Sequence, residues 1–118
     1  MADTKRVGAA VALVVLLAAV SGCQSVQNPE GRALDAEAAH LSNGFENATC
    51  VESWGVSSPV VEAESSVVDR TDGGVYVEVS QPYFYGTNST EEDGASEAVY
   101  HVTAENETRV SGDSVVPC

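Results

Sequence analysis

The sequence predicts an α+β fold: one N-terminal amphipathic helix packed on a three- to four-stranded antiparallel meander sheet. Three observations carry that expectation. Apolar residues recur at helical spacing over residues 32–47. The period then changes to two, first across residues 74–86 and again from Ala98 to Thr103. Between the runs lie segments rich in Gly, Asn, Asp and Ser, so consecutive strands meet through short connections and pair antiparallel.

In the helical stretch, "RALDAEAAHLSNGFEN", Leu34, Ala38, Leu41 and Phe45 follow one another at steps of four, three and four, which puts them on one face. His40 falls on the opposite, polar side. Asn28 ahead of Pro29 and Glu30 has the chemistry to cap an earlier start, and Gly44 weakens the last turn. Residues 57–70, "SSPVVEAESSVVDR", read as one or two strands with an interruption, and Thr71-Asp72-Gly73-Gly74 is hairpin punctuation. In "GVYVEVSQPYFYG", residues 74–86, one parity carries Val75, Val77, Val79, Tyr83 and Tyr85, the other Tyr76, Glu78, Ser80 and Phe84. Pro82 has no amide donor for a ladder and predicts a bulge, an edge or a strand end there. Residues 87–97, "TNSTEEDGASE", read as a polar loop; "AVYHVTA" is the next strand and "TRVSGD" finishes a meander over residues 60–111. The helix covers its apolar face, and Trp54, between helix and sheet, is expected to fill core.

Charge excludes one class of partner. The 118 residues carry 18 acidic against 5 basic side chains, a formal net charge of -13, and no lysine occurs after Lys5. Affinity for phosphate rests on clustered Lys and Arg, so no nucleic acid is expected as a partner. Such a charge opposes compaction in dilute buffer, whereas at molar salt the Debye length shrinks to about 3 Å and the self-repulsion largely disappears. The acidic, lysine-poor, Val/Ala/Thr-rich composition resembles that of exported proteins from halophilic archaea.

The N-terminus has three parts: Lys5 and Arg6, an apolar run from Val7 to Val20, then Ser21, Gly22 and Cys23. The run is shorter than the ~20 residues a membrane-crossing helix needs and fits a signal peptide over residues 1–22. "VSGC", Val20 to Cys23, resembles the lipobox of prokaryotic lipoproteins. That resemblance covers the first 23 residues only, and it implies cleavage before Cys23 and a diacylglyceryl lipid on its thiol. The implied membrane partner is then lipid, and the implied location the outer face of the cell membrane. Two acyl chains at ~0.8 kcal/mol per buried methylene anchor a protein stably. Residues 23–31, polar with Pro29 and Gly31, are expected as a tether, and residues 32–118 as the folded body.

With Cys23 taken by lipid, Cys50 and Cys118 remain, and outside the cytoplasm two such cysteines are expected to pair. Three Asn-x-Ser/Thr sequons, at Asn47, Asn88 and Asn106, make those asparagines candidates for N-glycosylation. No Cys-x-x-Cys or other close-spaced ligand set announces a metal, and no cofactor is expected. "STEEDG" departs from a calcium-loop pattern at Ser89 and Tyr100, which leaves Glu91, Glu92, Asp93 and Glu97 as weak divalent-cation candidates. Nucleophile elbows, zinc-protease helices and phosphate loops are absent, and His40 and His101 are the only histidines, so no catalytic residue is expected. The expected function is a non-enzymatic, surface-anchored lipoprotein with a structural or binding role. The alternative is a solute-binding or accessory module presenting an aromatic strand face built from Tyr76, Tyr83, Phe84 and Tyr85.

Overall fold

A computed structural model describes residues 26–118 of the chain. The expected signal peptide and Cys23 lie outside the described residues. One helix, α1 (Pro29–Asn47), packs on five strands: β1 (Ser53–Gly55), β2 (Glu64–Thr71), β3 (Gly74–Gly86), β4 (Glu91–Val102) and β5 (Glu107–Gly112). The α+β class and the antiparallel meander of β2 to β5 agree with the sequence reading.

The helix starts at Pro29, three residues ahead of the start expected at residue 32. Proline suits this position because its fixed φ is helical and its missing N–H has no intrahelical partner to lose. Asn28 precedes it in the left-handed region (φ 45°, ψ 52°), the one positive φ among the described non-glycine residues. Asparagine tolerates that region better than most side chains. Its side chain lies over Gly31 and makes no cap hydrogen bond, while its carbonyl accepts from the Arg32 amide at 3.0 Å. Val26 is half-buried and packs against the core, so the fold reaches into the segment read as a tether.

β3 is the spine of the sheet. It pairs with β4 over its whole length in one register, from Val75↔Val102 to Gly86↔Glu91. On its other edge it takes two partners in turn: β2 along Gly74–Ser80 and β1 along Phe84–Gly86. Pro82 marks neither a strand end nor a bulge, since it pairs with Ala95 of β4 in unbroken register; on the other side it falls in the gap between β2 and β1, where β3 is locally an edge, one of the positions expected for it. Gln81 closes the gap by donating its side-chain amide to the Val56 carbonyl at 3.0 Å. β1 is the strand the periodicity does not predict, since three residues carry no alternation, and residues 57–63 form no strand.

The segment expected as a loop over residues 87–97 is a loop only from Thr87 to Thr90; β4 begins at Glu91. Its first residues are polar on both faces because neither helix nor β5 covers them, so side-chain alternation is absent while the hydrogen bonds to β3 still hold it extended. Thr87 closes the turn, its amide donating to the Thr90 carbonyl at 2.8 Å and its hydroxyl accepting from the Thr90 amide at 3.1 Å. The β4–β5 turn repeats the device: the Thr103 amide donates to the Asn106 carbonyl at 2.9 Å. Of the three strands at the sheet's edges, the two longer ones carry a bulge, at Val68 in β2 and at Val110 in β5, and both bulged valines are exposed. Bulges break the flat edge that would otherwise template pairing with another chain.

The core is layered along the helix. In its first half, Ala33 of the helix meets Val75, Val77, Val79, Ala98 and Val102 of the sheet, small side chains that let helix and sheet approach closely. Under its last turns Phe45 packs against Trp54, Tyr83 and Tyr85, with ring centroids 5.5 to 5.8 Å apart. Trp54 thus serves the core role expected of it. Between the two halves sits a charge.

Candidate functional site: the Glu37 cluster and the groove beside it

The buried face of α1 is Ala33, Glu37, Leu41 and Phe45, a step of four throughout. Leu41 and Phe45 belong to the expected face, but Glu37 replaces Ala38 at its centre, and Leu34 and Ala38 are left half-buried on the flank. Glu37 is 0% exposed. A lone carboxylate in such a place would cost several kcal/mol, and the sheet answers it with four hydrogen bonds. Ser96 Oγ donates to Oε2 at 2.6 Å and Tyr100 OH to Oε1 at 2.8 Å. Arg109 makes a two-toothed contact, Nε to Oε1 at 2.9 Å and Nη2 to Oε2 at 3.1 Å.

The strands explain why these groups converge. Ser96 and Tyr100 share the inner parity of β4, and the small Ala98 between them leaves room above the sheet. Arg109 is the partner of Tyr100 on β5. Its guanidinium lies over Gly112, where any Cβ would come within 2.5 Å of Nη2, so glycine is required there for close approach. The Nη2 group also donates to the Asp113 carbonyl at 2.8 Å, tying the segment after β5 to the cluster.

Burial pushes the Glu37 carboxyl up, but hydrogen bonds from Arg109, Ser96 and Tyr100 outweigh it and hold the group below its ordinary value. Burial and the bond to Glu37 push the Tyr100 phenol up, so it stays a donor. Hydrogen bonding to Glu37 likewise raises Arg109. The cluster is therefore a saturated, ionised pair with its protons fixed in place.

Beside it, α1 and the segment after β5 enclose an open groove of about 520 Å³ with His40, Asn43, Gly44 and Asn47 on one wall and Gly112 to Val115 on the other. Arg109 reaches the groove, whereas Glu37 is not part of its walls. Of its polar groups, the Asp113 carboxylate accepts from the Glu97 amide at 2.9 Å and the Asn47 side-chain amide donates to the Asn43 carbonyl at 2.8 Å, so both are engaged within the protein.

The other expected site residues are scattered. Cys50 and Cys118 form a disulfide, as expected. Asn47 is exposed at the end of α1, Asn88 at the tip of the β3–β4 turn and Asn106 in the β4–β5 turn. Glu91, Asp93 and Glu97 share the outer parity of β4 and Glu92 the inner one; Glu91 and Glu97 are six residues, roughly 20 Å, apart on an extended strand. Among the described residues no group of three or more His, Cys, Asp or Glu is placed to hold a metal ion. His101 packs against Tyr76 with tilted rings, centroids 4.7 Å apart, on the sheet face turned away from the helix that carries His40.

The aromatic strand divides by parity as the sequence predicts. Tyr83 and Tyr85 turn inward to Phe45, and Tyr76 and Phe84 turn outward. The outward pair is separated by Glu78, Ser80 and Pro82, so it forms no continuous aromatic strip. Phe84 lies over the backbone of Gly55, where a side chain would collide with its ring, and is 43% exposed beside Val60 and Val61.

Periodicity misses Glu37, Ser96 and Arg109. Two signals for them exist: an acid set in an apolar stripe of step four, and the single cation after residue 70. The chain matches no family model, no curated protein and no solved structure.

Proposed function

We propose that the chain is an exported lipoprotein of a halophilic archaeon, held on the outer face of the cell membrane through a lipid on Cys23, whose body acts without catalysis as a structural or binding domain. One observation carries the reading. Of three cysteines, Cys50 and Cys118 are bonded to each other, which leaves the thiol in "VSGC" as the one the disulfide does not consume. A disulfide also belongs to an oxidising compartment. The non-catalytic role is supported by the Glu37 cluster, whose carboxylate is sealed and fully bonded, so its chemistry is spent on holding helix to sheet. Among the described residues no helix is long and apolar enough to cross a membrane.

Intact mass of the membrane fraction is expected to show a chain beginning at Cys23 with a diacylglyceryl increment. A peptide still joining Gly22 to Cys23 in the mature protein overturns the reading.

The halophile component has its own test. From residue 26 onward 17 carboxylates face three arginines, and two of these, Arg32 and Arg109, are already paired to Glu107 and Glu37. Most of the negative surface is thus left to be screened by salt. The melting temperature is expected to rise steadily from about 0.1 M to about 1 M salt, as the Debye length falls from roughly 10 to 3 Å. A melting temperature unchanged over that range rejects this part of the proposal.

A further inference from the structure

We infer that the domain stands end-on against the bilayer, with the end formed by Asn28, the β2–β3 turn and the β4–β5 turn facing the lipid headgroups. The inference rests on the lipid at Cys23 proposed above and on where the fold begins.

Val26 is already packed against the core. From Cys23 to Val26 there are three peptide units, which reach at most about 11 Å when fully extended. A body that begins so close to its anchor has no room to stand off or tumble freely. The part of the fold around Val26 must lie within that reach of the headgroups.

The structure shows which part that is. Arg32 binds the N-terminal segment to the β4–β5 turn: its guanidinium donates to the Gln27 carbonyl at 3.4 Å, the Asn106 carbonyl at 3.5 Å and the Glu107 carboxylate at 2.6 Å. The β2–β3 turn lies alongside, since Val75 pairs with Val102 and Gly74 packs on the Val102 carbonyl. Asp72, Gly73, Ala104 and Glu105 are therefore at the anchored end. The opposite end is the β3–β4 turn, Thr87 to Thr90, separated from the first by the 13 residues of β3, roughly 40 Å of extended chain.

Charge runs the same way. At the anchored end Arg32 and Arg70 offset part of the charge of Glu30, Asp69, Asp72, Glu105 and Glu107, whereas at the far end nothing among the described residues offsets Glu46, Glu52, Glu91, Glu92 and Asp93. Anionic headgroups repel the far end more strongly than the near one. Of the sequons, Asn106 sits on the membrane side and Asn88 points away from it.

The test uses the full lipidated protein in vesicles of native lipid, with the native disulfide intact and one added thiol, Asp72→Cys or Ser89→Cys. A bulky polymer maleimide is the probe, and the same variants carrying Cys23→Ser in solution give the unanchored rates. Anchoring is expected to slow labelling of the Asp72→Cys protein several-fold and to leave the Ser89→Cys rate unchanged. Equal slowing on anchoring at the two positions, or none at either, in protein that carries the lipid by mass overturns the orientation alone. Absence of lipid on Cys23 removes both this inference and the reading beneath it.

Discussion

Arg109→Ala is expected to cost about 3–5 kcal/mol of stability, the range for breaking a buried ion pair by removing one partner. The reason is the carboxylate left behind. Glu37 is wholly buried, and without Arg109 it retains only the Ser96 and Tyr100 hydroxyls to replace the water it gave up. For a domain of this size the loss is a large share of total stability, on the order of 5–15 kcal/mol for single domains. Arg32→Ala supplies the control, because its pair with Glu107 is partly exposed, at 23% and 29%, and exposed pairs contribute about 0–1 kcal/mol. Replacing both buried partners with apolar residues, Glu37→Leu with Arg109→Met, is expected to recover much of the loss. Denaturant unfolding at fixed high salt measures all four proteins. If Arg109→Ala proves no costlier than Arg32→Ala, the cluster is not a stability centre.

The same cluster sets the response to acid. Glu37 titrates lower in the folded chain than its ordinary 4.5, so the unfolded state takes up its proton first as pH falls. Its contribution is complete above pH 4.5 and drains away as pH drops through the lower folded value. Tyr100 acts on the other side: its phenol is raised above the ordinary 10.0, so its contribution is whole below pH 10 and lost as pH climbs beyond it. Neither loss falls near neutrality, which fits a bond meant to stay closed rather than to switch.

What could be read from residues alone follows from which side chains are buried on one face only. Val75, Val77 and Val79 alternate with Tyr76, Glu78 and Ser80 because one side of β3 meets the helix and the other meets water, and that asymmetry is visible as a period of two. The helix showed for the same reason. The Glu91–Ala95 stretch of β4 has no such asymmetry: water reaches both its faces, so its extended form is dictated by backbone bonds to β3. β1 is held likewise, by pairing opposite Phe84 to Gly86. Glu37 defeats the pattern differently, since an apolar stripe assigns its centre to Ala38 unless the reader knows that an arginine 72 residues later completes the carboxylate. Long-range chemistry of this kind leaves its partners far apart in sequence and without a local signature.

Removing the disulfide, by Cys50→Ser, Cys118→Ser or both, is expected to cost about 4 kcal/mol in the chain-entropy account of a bridge closing a loop of this length. The bridge spans a separation of 68 residues, which includes the whole sheet. Its effect is also local. The sheet's last backbone tie is the Asp113 amide to the Glu97 carbonyl at 2.8 Å, and the residues beyond it form no strand. Val115 and Pro117 are half-buried, and the disulfide pins the chain end beyond them to the loop after α1. Cutting it frees one wall of the groove beside Arg109 as well as the unfolded chain. Because either single change removes the same link, both single variants and the double variant are expected to lose equal stability, with no additivity. A double variant within about 1 kcal/mol of the parent, below the usual 2–5 kcal/mol for native bridges, shows instead that the helix, the valines and the Glu37 pair suffice to hold the fold.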